Sequence, residues 1–522
     1  MRRLLVALCT TASVVITSSP IKAEPATLTS QTGGLVLEGE ILGFDGEIYR
    51  IDTVYGVLTV DGAGVACAGE GCPEPEDYVS DFMISGAAES GALLMPALLE
   101  AFAEKQGYRI TRREEDATHF TYLLDGADGR PAAQVRFRVT SSDEGFADLL
   151  AEQADIALSF REITAREQTM AREAGLGDLA RPERSGIVAL DALVPIVALE
   201  NPLTSISIEE LAALFSGETG DWAALGAPLG PVTVHARTPS AGLSETFARR
   251  VLTPREMAMS PDAILHDSPA DLADAVATDP FAIGITTFSE RGNARALPIR
   301  GRCGHQAWAS RNTLKTEDYP LTAPHFVYTP ARRLPPVARA FLAYLKTDDA
   351  QRAIRDAGFV EQLLAEIPLS FQGDRLAKAV LNTGAEVGAR DLRRLVSALE
   401  GGRRSTLTFR FAEGGVELDA QSRANVALLA GAMADGAFDG RTVLFAGFSD
   451  GQGDATSNRR LSLRRAEAVR DAVIDAADPA VLDVVTIAAE GFGEAMPMAC
   501  DEDAWGRFVN RRVEIWLRPD AP

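Results

Sequence analysis

The stretch from Gly447 to Ala466, G-F-S-D-G-Q-G-D-A-T-S-N-R-R-L-S-L-R-R-A, leaves a chain few conformations. It overlaps the end of an apolar, β-prone run, T-V-L-F-A-G-F from Thr442 to Phe448, that predicts a strand. Gly451 and Gly453 permit the sharp turn that follows. Ser457 or Asn458 is placed to cap a helix that continues to Ala476. Such a strand–turn–helix sets Asp450 at the strand exit and Arg465 about two turns into the helix. An anion and a cation held apart in this way can clamp a zwitterion, carboxylate to ammonium and guanidinium to carboxylate. Taken alone, the stretch also fits a solvated surface Asp and a helix-face Arg.

The surrounding motifs favour the clamp. F-R-F at Phe409 to Phe411 and L-D at Leu418–Asp419 precede the stretch. N-x-x-L-S-x-x-R-A spans Asn458 to Ala466, G-x-G-E spans Gly491 to Glu494, and N-R-R-V-E-I spans Asn510 to Ile515. In this order they resemble the peptidoglycan-binding domain of the OmpA family, with Phe448 standing where many members have His. The resemblance implies that Asp450 and Arg465 grip the diaminopimelate of a stem peptide, with Asn458 and Arg511 (or Arg512) lining the pocket. Strands at 406–411, 442–448, 484–490 and 511–517, with helices at 421–433 and 458–476, predict a compact α+β unit over 405–522. In the long helix Leu461, Ala468, Val469, Ala472 and Val473 are expected to face inward.

At the other end, Arg2 and Arg3 precede an apolar run and a polar stretch that ends in Ile21-Lys22-Ala23, the pattern of a signal peptide cleaved after Ala23. No later run is long and apolar enough to cross a bilayer. The formal charge is −23, and cleavage removes three cations with no acid, which argues against nucleic acid as a partner. Export permits disulfides, and Cys67 and Cys72 close a short C-A-G-E-G-C loop expected to be bridged. A metal at that pair lacks nearby His ligands. Cys303 and Cys500 could pair across domains or stay free. Residues 24–76 alternate apolar and polar side chains between turn signals and predict a small all-β unit.

Between 77 and 365 strands alternate with helices, an α/β pattern. The succession resembles the type 2 periplasmic binding proteins, and within them the phosphate-binding proteins, most specifically in the stretch that ends at Trp222 and Leu225-Gly226. That implies two lobes and a ligand cleft. An anion site there needs amides, hydroxyls and an Arg. Ser85, Ser141, Ser142, Ser159, Arg161, Arg237, Ser240 and Gly242 are the candidates. Glu89, Ala241 and Leu243 depart from the family pattern: Glu89 brings negative charge to the turn, and the other two replace hydroxyl donors.

The five His are scattered, and no G-x-S-x-G, H-E-x-x-H or phosphate-loop motif occurs, so no catalytic residue, cofactor or metal is expected. Residues 366–404 read as a helical connector with a break at Asn382-Thr383-Gly384. The expected whole is multidomain: a small all-β N-terminal unit, a two-lobed α/β type 2 periplasmic-binding-protein fold, and a C-terminal α+β OmpA-like domain. Its expected place is the periplasm, on peptidoglycan and close to the outer membrane. The expected partners are the stem peptide and a small anion such as phosphate.

Overall fold

The computed structural model describes residues 25–31, 34–73, 78–227, 230–239, 241–382, 387–411 and 415–519. The proposed signal segment and Ser240 lie outside them. Two units are distinct, residues 1–80 and 81–522.

In the first unit, strands Pro25–Ser30, Val36–Phe44, Ile48–Thr53, Gly56–Asp61 and Val65–Ala68 form one antiparallel sheet. Alternation buries Leu28, Leu37, Tyr49 and Ile51 on one face. Cys67 and Cys72 are disulfide-bonded, as the loop spacing predicts.

The second unit begins with the two-lobed α/β fold. Strands Ser80–Ala87, Pro131–Thr140, His119–Asp125, Arg109–Glu114 and Ile156–Ser159 build the first lobe around Phe82, Phe102, Phe137 and Phe341. Strands Thr233–Arg237, Ile264–His266 and Ala282–Thr287 build the second around Phe215, Trp222, Phe247 and Ile283. The long strand Ser185–Val197 joins them: residues 185–192 pair with Thr322–Tyr328, and residues 193–197 pair with 283–287. Its V-A-L-D-A-L-V-P-I-V sequence is buried on both faces, which explains a continuous apolar run instead of an alternating one. The single acid in that run, Asp191, accepts hydrogen bonds from the Ser289 N–H at 3.2 Å and the Ser289 hydroxyl at 2.5 Å. Beside it, burial pushes the Glu290 carboxyl up to about 7, with Asp191 and Glu89 adding to the shift and Arg237 opposing it.

The C-terminal part is α+β with sheet order Glu366–Pro368, Arg403–Arg410, Arg512–Pro519, Arg441–Gly447, Thr486–Gly491. Only the last two strands pair in parallel, the helix Ala455–Ala476 making the crossover between them. In Arg441–Gly447, Val443 and Phe445 face the helices Ala420–Ala434 and Ala455–Ala476. Leu444 and Ala446 face Leu395 and Leu399 of the helix Ala389–Leu399. The connector is therefore part of this domain: its first residues add an edge strand, and its second helix covers the sheet.

Alternation in Arg403–Arg410 sends Leu407 and Phe409 into that core and Arg404, Thr408 and Arg410 to the opposite face. There the arginines meet Asp318 of the second lobe, Arg404 Nη1 at 2.9 Å and Arg410 Nη2 at 3.0 Å. Arg410 also donates to the carbonyls of Thr316 and Glu317, each at 3.0 Å. Behind them, buried Glu514 accepts from Arg512 at 2.7 Å and Arg375 at 2.5 Å. Burial would raise the Asp318 carboxyl, but Arg404 and Arg410 outweigh it and hold it at about 2. Cys303 and Cys500 are bonded to each other across the same junction, and Trp505 packs on the second lobe's core. Arg423 reaches Glu162 of the first lobe at 3.1 Å, and Ala420 packs against that lobe's outer cluster. One C-terminal domain thus touches both lobes.

Replacing Asp318 with Ala leaves two buried guanidinium groups without their carboxylate, and chemical denaturation is expected to show a loss of about 3–5 kcal/mol. Arg423→Ala, at an exposed pair, costs under about 1 kcal/mol. Glu290 has a folded pKa above its unfolded one, so its stabilising contribution is full below the ordinary carboxylate range and is lost as pH rises toward about 7. Glu290→Gln is expected to flatten the fall in stability between pH 5 and 7 by up to about 1.4 kcal/mol per pH unit, measured as urea midpoints across that range.

Candidate functional site

The best-formed site lies where strand Arg441–Gly447 gives way to helix Ala455–Ala476. The helix passes so close to the sheet that a side chain at Gly447 would meet the Ser462 carbonyl, and one at Gly491 would meet Leu463 N and the Arg459 carbonyl at 2.7 Å. These glycines, from the G-F-S-D and G-x-G-E motifs, let the helix bury Ser462, Arg465, Ala466, Val469 and Val473. That corrects the predicted stripe: Leu461, Ala468 and Ala472 are only half-buried, and Arg465 itself points inward. The cap is also different. The helix starts at Ala455, and Asp454 accepts from the Ser457 N–H at 2.9 Å, an acid at the positive end of the helix dipole. Ser457 and Asn458 lie within the first turn.

Arg465 is fully buried, yet only its Nε is engaged, donating to the Gly415 carbonyl at 3.1 Å. Neither Nη finds an acceptor among the described residues. Its guanidinium lies 5.1 Å from the Phe411 ring centre. Burial and the nearby Arg511 pull its pKa down to about 10, which leaves it cationic at neutral pH. A buried guanidinium with two idle donors is costly unless an anion visits it.

Asp450 stands at the strand exit and accepts from Arg511 Nη1 at 2.9 Å. The Arg511 Nε is buried without an acceptor among the described residues. Of the two arginines in N-R-R, therefore, Arg511 faces the site. Arg512 does not cover the sheet edge: it is buried against Glu514, 4.2 Å above the Phe448 ring. Asn458 is buried and donates to Glu494 at 3.4 Å. Two contributors carried no assignment in the sequence. Asp501 accepts the Gly451 N–H at 3.0 Å and the Asn510 amide at 2.8 Å, and burial followed by Asp450 raises its carboxyl pKa. Asn510 holds residues 498–501 through Met498 N at 2.6 Å and the Ala499 carbonyl at 2.9 Å. The N-R-R motif contains Asn510, but its role depends on a loop of no distinctive sequence. Arg465 and Arg511 thus stand within electrostatic reach of each other and of Asp450, which in turn acts on Asp501, a set of charges suited to a group carrying both signs.

The cleft candidates are brought near one another but spend their hydrogen bonds within the protein. Ser85 donates to Asp148 at 2.5 Å. Ser141 caps the helix Ser142–Leu150, accepting from Glu144 N at 3.2 Å. Ser142 accepts from Phe160 N at 3.1 Å, and Ser159 donates to the Arg161 carbonyl at 2.6 Å. Arg161 is ringed by acids: Glu167 at 2.7 Å, Glu245 at 3.0 Å, and Asp143. Burial alone would lower its pKa, but Glu167 and Asp143 reverse the sign. Arg237 donates to the carbonyls of His266 at 3.2 Å and Asp267 at 2.9 Å. Gly242 opens the helix Gly242–Phe247, with Glu89 directly against it.

Comparison with known proteins agrees with this division. Residues 96–349 match the PBP superfamily domain, and residues 410–511 match the OmpA family. The phosphate-binding protein PstS of Bacillus subtilis (strain 168) is 31% identical over 198 residues, 36% of this chain and 63% of that protein. This chain therefore spans less than two thirds of that relative's length. The probable lipoprotein YiaD of Escherichia coli (strain K12) is 40% identical over 73 residues, 14% of this chain and 32% of that protein. Among solved structures, a putative phosphate ABC transporter substrate-binding protein with bound phosphate from Clostridium perfringens shares 18% identity at a TM-score of 0.42, covering 54% of this chain and 99% of its own. The chain is thus similar to a PBP superfamily domain over residues 96–349 and to the OmpA family over residues 410–511.

Proposed function

We propose that this is a non-enzymatic protein of the periplasm, held on peptidoglycan near the outer membrane by its C-terminal domain and carrying a solute-receptor-like domain fixed to that anchor. The observation behind the reading is Arg465: a buried guanidinium whose two Nη groups have no acceptor among the described residues, within electrostatic reach of the Arg511–Asp450 pair. The diaminopimelate of a stem peptide offers the missing partners. Its carboxylate would take the Nη donors of Arg465 and the Nε of Arg511, and its ammonium would share Asp450 and Asp501. The charges come in pairs, so a plain anion or a plain cation satisfies only half the pocket.

Delivery of phosphate to an importer is a poorer fit. Ser85, Ser159 and Arg161 already donate to internal acceptors. Each donor lost to a charged ligand removes about 1.5–3 kcal/mol of affinity. The C-terminal domain also contacts both lobes, whereas a shuttling receptor needs lobes free to open and close.

Co-sedimentation with purified sacculi tests the anchor. The full-length protein is expected in the pellet. Asp450→Ala and Arg465→Ala are each expected to cut pelleted protein at least tenfold with the circular dichroism unchanged. Pelleting of both variants at the wild-type level would overturn the proposal.

A further inference from the structure

The cleft holds a carboxylate of its own. Glu89 follows the strand Ser80–Ala87 of the first lobe and is buried, 6% exposed. Its Oε1 accepts the backbone N–H of Leu243, in the second lobe, at 2.6 Å. Its Oε2 is buried without a hydrogen-bond partner among the described residues. The approach depends on Gly242, because a Cβ there would lie 2.5 Å from Glu89 Oε2. Burial raises its pKa, and the Leu243 N–H and the charge of Arg237 in the second lobe oppose the rise.

A second pair repeats the pattern. Arg161, in the first lobe, donates through Nε to Glu245 at 3.0 Å, and Glu245 lies two residues beyond Leu243 on the same helix. The two contacts join the same short segment of the second lobe to two separate turns of the first. One supplies an anion from the first lobe to an amide of the second, and the other a cation from the first lobe to an acid of the second. A free anion placed at Leu243 N–H would have to displace Glu89 and then sit among Glu89, Asp191 and Glu290, all of them acids. Like-charge crowding of this kind disfavours a second anion in a buried site.

We infer that Glu89 is a built-in ligand: its carboxylate occupies the anion position between the lobes, excludes free anions from it, and with Arg161–Glu245 holds the cleft shut in the absence of solute. The C-terminal domain, bonded to the second lobe through Cys303–Cys500 and paired to the first through Arg423–Glu162, bridges the same two lobes from outside. Glu89 is thus the residue that sets what the cleft admits, and this holds whether or not the C-terminal domain grips peptidoglycan.

Hydrogen exchange at the Leu243 amide, followed on the full-length protein without solute, reads the contact directly. In the wild type this amide is expected to be protected, and inorganic phosphate at millimolar concentration is expected to leave its rate unchanged. Glu89→Ala removes the acceptor. Gly242→Ala keeps Glu89 but places a methyl group in its path, and provides an independent variant should the first fail to fold. Each is expected to speed exchange at Leu243 at least tenfold while protection in the strand Arg441–Gly447 stays as in the wild type. Unchanged exchange at Leu243 in a folded variant would overturn the inference. So would micromolar binding of inorganic phosphate by the wild type in isothermal titration.

Discussion

A guanidinium group removed from water must find acceptors, and much of this molecule is arranged around that requirement. Arg161, Arg404, Arg410, Arg465 and Arg512 are all buried. Four of them face carboxylates: Arg161 meets Glu167 and Glu245, Arg404 and Arg410 meet Asp318, and Arg512 meets Glu514. Those four are structural by the same criterion, since breaking a satisfied buried pair is costly and leaves nothing for a ligand to gain. Arg465 differs. It has a carbonyl on Nε, a ring face at 5.1 Å and two donors with no acceptor among the described residues. Pairing thus sets those four apart from Arg465, whose two Nη donors have no acceptor among the described residues.

The junction between the domains follows from the same rule. A sheet face bearing Arg404 and Arg410 could not be left dry without acids, and Asp318 of the second lobe supplies one. The apolar contact of Trp505 and the Cys303–Cys500 bond lie beside this charged centre. The C-terminal domain and the two-lobed domain are consequently packed together, not merely strung on a connector, and the connector's second helix is itself spent on covering the C-terminal sheet. The cleft shows the rule from the opposite sign: Glu89, an acid carried into the interior, settles on a backbone amide of the facing lobe.

Sequence reading reaches part of this. The strand–turn–helix around Asp450 and Arg465 is legible because glycine positions, apolar runs and charge order all have local causes. Arg511 is legible as one of two neighbours, but the choice between it and Arg512 is made where the central strand Arg512–Pro519 begins. The Asp318 cluster is not legible: in T-L-T-F-R-F the arginine occupies what alternation marks as a solvent face, and only the arrival of another domain buries it. The cleft is intermediate. Glu89 reads as an unwelcome charge for phosphate, while its bond to Leu243 needs the two lobes in register. Ser85, Ser142, Ser159 and Arg161 read as donors for a ligand because their internal partners, such as Asp148 and Glu245, are distant in sequence or undistinguished by it.

The central claim is that the idle donors of Arg465 await the carboxylate of a zwitterion. Isothermal titration of the full-length protein with a soluble stem peptide containing free meso-diaminopimelate, against the same peptide with that carboxylate amidated, tests it directly. Saturable one-to-one binding of the free form is expected, with a loss of at least tenfold in affinity on amidation. Equal affinity for the two peptides, or binding of neither, would contradict it.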